Sequence, residues 1–260
     1  MRPRQVFAVA SAKGGVGKTT TSLNIGAALA AQGPRTVVVE LDLAMANMVD
    51  FIDLDEPAAD ITTLHDVLAD FTPVEEAIRP APGGFDIVPS GVTLDGFVET
   101  NPEGIPALIE QLRNSYDAVI LDTAAGLTRE TVLAFDRADQ VLLTSTPRVA
   151  SVRDTEKTKE LADRRDATVG GIIFNKSGTG SAPPVDRITE YLDLELLGHI
   201  PEDRAVPTAQ DRGRPVVVDE PDSDAARAYR SIAEGLMDVG GAPRQVNEVP
   251  ATAESDLLPY

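Results

Sequence analysis

Apolar positions in this chain recur in two rhythms that take turns along most of its length. Short runs dense in Val, Ile and Leu fall at 6–10, 36–41, 85–89, 118–121, 140–144, 168–174 and 195–200. Between them, at 19–32, 63–69, 102–114, 129–137, 151–164, 185–192, 206–211 and 223–239, apolar residues return every three or four positions. An uninterrupted apolar run suits a strand buried on both faces, and the longer period suits an amphipathic helix. Strands and helices in alternation predict parallel βαβ units. Gly33-Pro34, Gly83-Gly84 and Pro183-Pro184 punctuate the connections. The expected fold is a single α/β P-loop domain over 1–239, with a mostly parallel twisted sheet of seven or eight strands flanked by helices. From 240 to 260 the rhythm stops, and the polar, proline-containing composition predicts a disordered tail.

One connection carries chemistry. The first apolar run continues into Ser11-Ala12-Lys13-Gly14-Gly15-Val16-Gly17-Lys18-Thr19-Thr20 and then into a helical segment. Strand, glycine loop and helix in that order form a phosphate-binding loop. Gly14, Gly15 and Gly17 let successive N–H groups turn toward an anion, and the helix adds its positive end. Within the stretch Gly14 to Thr20, which includes Val16, Lys18 reaches the β- and γ-phosphates and the hydroxyl of Thr19 sits on Mg²⁺. ATP and Mg²⁺ are the expected cofactors.

Two other strands end in carboxylates, at the strand ends where open α/β sheets hold their ligands. Val37-Val38-Val39-Glu40-Leu41-Asp42 brings in Asp42. Tyr116-Asp117-Ala118-Val119-Ile120-Leu121-Asp122 brings Asp122 beside Mg²⁺, directly or through water. A third strand ends in Asn175-Lys176, and an asparagine amide can both donate to and accept from a base edge.

With Lys13 included, the loop reads Lys-Gly-Gly-Val-Gly-Lys-Thr and resembles the deviant loop of the MinD/ParA family of P-loop ATPases. In that family the extra lysine reaches phosphates held by a partner subunit. The resemblance therefore implies an ATP-dependent homodimer in which Lys13, Lys18 and Asp42 are catalytic and Asp42 orients the attacking water. It also implies that Asn47 belongs to the first switch and Gly126 to the second. Asn175, Pro201 and Asp203 would line the adenine pocket, the last two within Gly198-His199-Ile200-Pro201-Glu202-Asp203. Ser151-Val152-Arg153-Asp154 resembles the start of the helix that borders the dimer and partner surface, making Asp154 a candidate partner of Lys13 in one subunit or the other. Read on its own, the same segment is a helix capped by Ser151 with Asp154 in its first turn.

The similarity covers roughly 1–239, with three departures. Glu40 stands where aspartate is usual, and Ala46 where bacterial MinD proteins tend to have arginine. Ala124 replaces a usual proline, which should loosen the second switch. The implied role is an ATPase that positions cellular machinery with an unknown activator or cargo. The alternatives are a nucleotide-gated scaffold with little turnover and a ParA-like DNA-partitioning ATPase.

Charge reshapes the choice of partners. The chain has 42 acidic residues against 23 basic, a formal net of −19, and only five lysines, two of them in the loop. Such a surface is expected of a salt-adapted, haloarchaeal protein. It disfavours DNA and anionic lipid, although molar salt shortens the screening length to about 3 Å. Arg244 is the one cation of the tail, which has no apolar stripe, so any membrane contact is expected to be indirect, through a partner.

Cysteine is absent, which excludes disulfides, cysteine-held clusters and a thiol nucleophile and fits a cytoplasmic location. No apolar run is long enough to span a membrane, and no signal-type segment opens the chain. No guanine-reading Asn/Thr-Lys-x-Asp motif occurs, and neither His65 nor His199 has a ligand cluster around it, so no metal beyond Mg²⁺ is expected.

Overall fold

Because successive strand residues point to opposite faces, each buried run feeds two separate cores. A computed structural model describes residues 4–54, 56–57, 60–177 and 184–237. Its strands are β1 (Gln5–Ser11), β2 (Thr36–Leu41), β3 (Arg79–Ala81), β4 (Phe85–Val88), β5 (Ala118–Ala125), β6 (Gln140–Ser145), β7 (Val169–Ser177) and β8 (Leu196–Pro201). They form one sheet in the order β3-β4-β2-β5-β1-β6-β7-β8. Among the described residues only the β3–β4 pair is antiparallel. The described helices are α1 (Lys18–Ala30), α2 (Leu64–Leu68), α3 (Leu94–Glu99), α4 (Ile105–Ser115), α5 (Arg129–Phe135), α6 (Val149–Arg164), α7 (Val185–Leu192), α8 (Ala205–Asp211), α9 (Val216–Asp219) and α10 (Asp224–Met237).

On one face Val6, Ala8 and Ala10 of β1 pack with residues of α2, α4, α5, α6 and α7, among them Leu64, Ile109, Leu133, Val152 and Ile188. On the other, Phe7 and Val9 pack with α1, α8, α9 and α10 through Leu29, Ala209, Val216 and Tyr229. Helix α1 lies so close to β2 that a Cβ on Gly26 would sit 2.6 Å from Val38 Cγ2. The central strand β1 has β5 on one side and β6 on the other. The chain leaves β1 toward β2 on one side and later crosses to β6 on the other, so the crevice for a ligand opens at the carboxyl end of β1.

Every expected strand and helix is present, and the described residues add β3, α3, α9 and the single 3-10 turns Met48–Asp50 and Val74–Glu76. β3 is an edge strand through Pro80, α3 is a helix without buried residues, and α9 is a single turn. Two strands outrun their apolar runs. β5 continues through Asp122 to Ala125, and β7 continues through Asn175 and Lys176 to Ser177. The expected tail at 240–260 lies outside the described residues.

Candidate nucleotide site

The loop joins β1 to α1 and is shaped by its last glycine. Gly17 caps α1 at φ 94°, ψ 29°, and a Cβ there would lie 2.8 Å from Asn175 Nδ2. Left-handed backbone and lack of space together require glycine. Lys18 opens the helix and is buried, which pushes its ammonium pKa down while Asp122 and Asp42 pull it up. Asp122 is 1% exposed, and its carboxyl pKa is raised to about 6. Burial is the main cause, opposed by the Thr19 hydroxyl, Lys18 and Ser22, whose Oγ donates to Oδ1 at 3.1 Å. Asp42 is partly exposed, and its Oδ1 accepts from the Met45 amide at 3.0 Å.

Lys18, Thr19, Asp42 and Asp122 thus meet at one spot. The hydroxyl and carboxylates are hard oxygen donors, the set that suits Mg²⁺. Among the described residues no three His, Cys, Asp or Glu side chains gather to hold a metal alone. Thr19 and Asp122 therefore fit an ion whose other ligands are phosphate and water. Lys13 is exposed at the rim, and Ser11 Oγ donates to its carbonyl at 2.8 Å. Gly126, at φ 91°, donates its amide to Ser11 O at 3.0 Å and so ties the turn after β5 to the end of β1.

Several of the expected site residues have partners within the protein. Asn175 is buried, and its amide nitrogen donates to Val16 O at 2.8 Å and to Thr21 Oγ1 at 3.0 Å. Both amide hydrogens are committed to the loop, so only Oδ1 is left to meet a base, and the Tyr229 hydroxyl lies 3.4 Å from it. The Asp203 carboxylate accepts from Ala205 N at 2.9 Å and Ala225 N at 3.2 Å, at the starts of two helices. Pro201 ends β8 beside Ser177. The Thr20 hydroxyl accepts from Gln210 Nε2 at 3.0 Å.

Ala124 does not loosen a loop. It lies within β5, where Ala125 pairs with Ser11, and an alanine keeps the N–H that a proline would remove. Ser151 is not the cap of α6, which begins at Val149. Its hydroxyl is buried, 2.9 Å from Thr146 Oγ1. Asp154 lies 3.7 Å from Lys157, one turn along its own helix.

Glu40 is the largest surprise. It is 1% exposed, and its carboxylate accepts from the amides of Asn47 at 2.7 Å, Met48 at 2.9 Å and Ser90 at 2.9 Å. Burial raises its pKa to about 7 against the pull of those three bonds. Ser22 could have been found in the sequence, since it follows Thr19 by three positions and shares its helix face. Ser90, His65, Gln210 and Tyr229 reach the site from distant segments and had no local signal.

Fold and loop together define a P-loop NTPase. A family model described as an AAA domain matches residues 4–163, and the ParA model, described as an NUBPL iron-transfer P-loop NTPase, matches 105–237. An uncharacterised ATP-binding protein of Methanocaldococcus jannaschii is 34% identical over 232 residues, 89% of this chain and 87% of that protein. The septum site-determining protein MinD of Bacillus subtilis is 30% identical over 242 residues, covering 90% and 89% of the two chains. The structure of Pyrococcus horikoshii MinD complexed with Mg-ADP superimposes with a TM-score of 0.86 at 29% identity, over 92% of this chain and 98% of that one.

The chain belongs to the MinD/ParA family of P-loop NTPases. Iron transfer belongs to the description of the second model, and the sequence here contains no cysteine.

Proposed function

We propose that this protein is an ATP-hydrolysing positioning protein of the MinD kind, whose ATP-bound form is a homodimer. The observation that supports hydrolysis best is the convergence of buried Lys18 and Asp122 with Asp42 at the carboxyl ends of β1, β2 and β5. Lys18 and the loop amides would hold the phosphates, and Thr19 and Asp122 would hold Mg²⁺, which when bound neutralises charge on the β- and γ-phosphates. Asp42 would orient the attacking water. Electrostatic stabilisation and positioning carry most of the rate in such reactions. Exposed Lys13 supports the dimer, since a lysine at the rim can reach into a facing subunit, and Asp154 is its proposed partner across that interface. Asn47 and Gly126 would be the switch residues that report the γ-phosphate.

Steady-state ATP hydrolysis in molar KCl tests this reading. Asp42→Ala is expected to keep ATP affinity and lose turnover, and equal rates in the two proteins would overturn it. Engagement of Asp42 Oδ1 by the Met45 amide favours, as a second reading, a scaffold that binds ATP and turns over slowly. Light scattering with and without ATP tests the dimer, and Lys18→Ala should abolish both binding and dimerisation. The net charge of −19 supports a salt-adapted source and recruitment to membrane or cell pole through a protein partner. ATP-dependent DNA binding at high salt would favour partitioning instead.

A further inference from the structure

Glu40 is a buried carboxylate whose partners are backbone amides. A charge removed from water is tolerated only when strong partners replace the water, and amides aimed at a carboxylate form charge-assisted bonds. Oε1 takes the amides of Asn47 and Met48, and Oε2 takes the amide of Ser90. Ser90 answers with its hydroxyl, which donates to the Glu40 carbonyl at 2.9 Å. Residues 47–48 and 90 belong to segments that no sheet ladder joins: one leaves β2 and the other leaves β4. Glu40 itself is paired across the β2–β5 ladder with Asp122. The side chain thus joins the first switch to the end of β4, while the backbone of the same residue pairs with the strand that bears Asp122.

The same segment is fixed at a second point. His65 Nε2 lies 3.0 Å from the carbonyl of Leu43, the residue after Asp42. The backbone that follows Asp42 is therefore held first at Leu43 and again at Asn47 and Met48.

We propose that Glu40 is a positioning residue for hydrolysis, which clasps the first switch onto β4 and sets Asp42 before nucleotide arrives. An aspartate on the same Cα is shorter by one carbon–carbon bond, about 1.5 Å. Bonds of 2.7–2.9 Å would then stretch past hydrogen-bonding distance. The glutamate is therefore needed for its length as well as its charge. The proposal rests on the hydrolytic reading above.

The test compares wild type, Glu40→Asp and Glu40→Gln by amide hydrogen exchange without nucleotide, by titration with a fluorescent ATP analogue, and by steady-state ATP hydrolysis. Glu40→Asp should speed exchange at 47, 48 and 90 by about tenfold or more. Its nucleotide affinity should stay at the wild-type value because the phosphate loop is untouched. Its kcat should fall by roughly ten- to a hundredfold, as expected of a misplaced reacting group. Glu40→Gln keeps one acceptor oxygen and should free either 47–48 or 90 but not both, with an intermediate kcat.

Wild-type exchange at all three amides in Glu40→Asp would overturn the proposal. So would freed amides with unchanged kcat, or faster exchange throughout the sheet with affinity and kcat falling together. A wild type that does not hydrolyse ATP would overturn the ATPase reading, and the exchange data would then judge the clasp alone.

Discussion

The side-chain amide of Asn175 donates to the main-chain carbonyl of Val16 at 2.8 Å, across 159 residues of sequence. The end of β7 therefore braces the phosphate loop from beneath, and Tyr229 of α10 stands behind the brace. Asn175→Ala takes the side-chain donor from the buried Val16 carbonyl and one of two partners from the Thr21 hydroxyl, at about 1–3 kcal/mol for a buried group left unsatisfied. The expected outcome is a lower denaturation midpoint together with a weaker ATP dissociation constant, by about tenfold or more. Chemical denaturation and an ATP-analogue titration on the same variant check both halves. Unchanged affinity would mean that the loop keeps its shape without the brace.

Asp122 predicts a particular pH profile. Burial first, against the pull of Thr19, Lys18 and Ser22, raises its pKa from an ordinary 3.8 to about 6 in the nucleotide-free fold. The folded state thus binds this proton more tightly than the unfolded chain does. The associated stability is fully present below pH 3.8 and is lost as pH rises through about 6. Asp122→Asn removes that contribution, so the wild-type minus variant stability difference should fall between those two values and level off above them. Mg²⁺ favours the ionised carboxylate, so stabilisation of the wild type by Mg-ATP should grow over the same interval. Denaturation curves at a series of pH values, with and without Mg-ATP, provide the check.

Gly26 tests the packing of α1 on β2. An added Cβ would meet Val38 Cγ2 at 2.6 Å and Phe85 Cδ2 at 3.3 Å. Gly26→Ala gains up to about 1 kcal/mol of helix propensity. Overpacking costs about 1–3 kcal/mol, so the net effect is destabilising. Thermal melts should show a lower Tm, while ATP affinity well below the transition stays near wild type.

The sequence made the frame of this site legible because its signals were local. Lys18 and Thr19 stand beside their glycines, and Asp122 ends an apolar run. What escaped depended on distance. Glu40 gave no sign that it bonds Ser90, which is 50 residues away, and Asn175 gave none that its amide serves Val16. The short elements were lost for another reason. Arg79-Pro80-Ala81 has no apolar alternation, and the apolar residues of α3, Leu94 and Val98, face outward and so carry no core period. Ala124 misled because it was read as part of a loop, when the strand it extends runs beyond the apolar residues that announced it.

Stability should rise with salt. A net charge of −19 on 260 residues repels itself in dilute buffer, and added ions screen that repulsion. The denaturation midpoint should climb between 0.1 and 3 M KCl and respond more weakly to a neutral osmolyte of equal osmolality. A midpoint that is flat in KCl would argue against salt adaptation.

Pro80 has a consequence for how copies of this protein can meet. It lies in β3, the antiparallel strand at one margin of the sheet, and it lacks the N–H that an added strand would need. Growth of the sheet by strand addition is therefore discouraged at that margin. The homodimer proposed above would then have to form on a surface other than that edge.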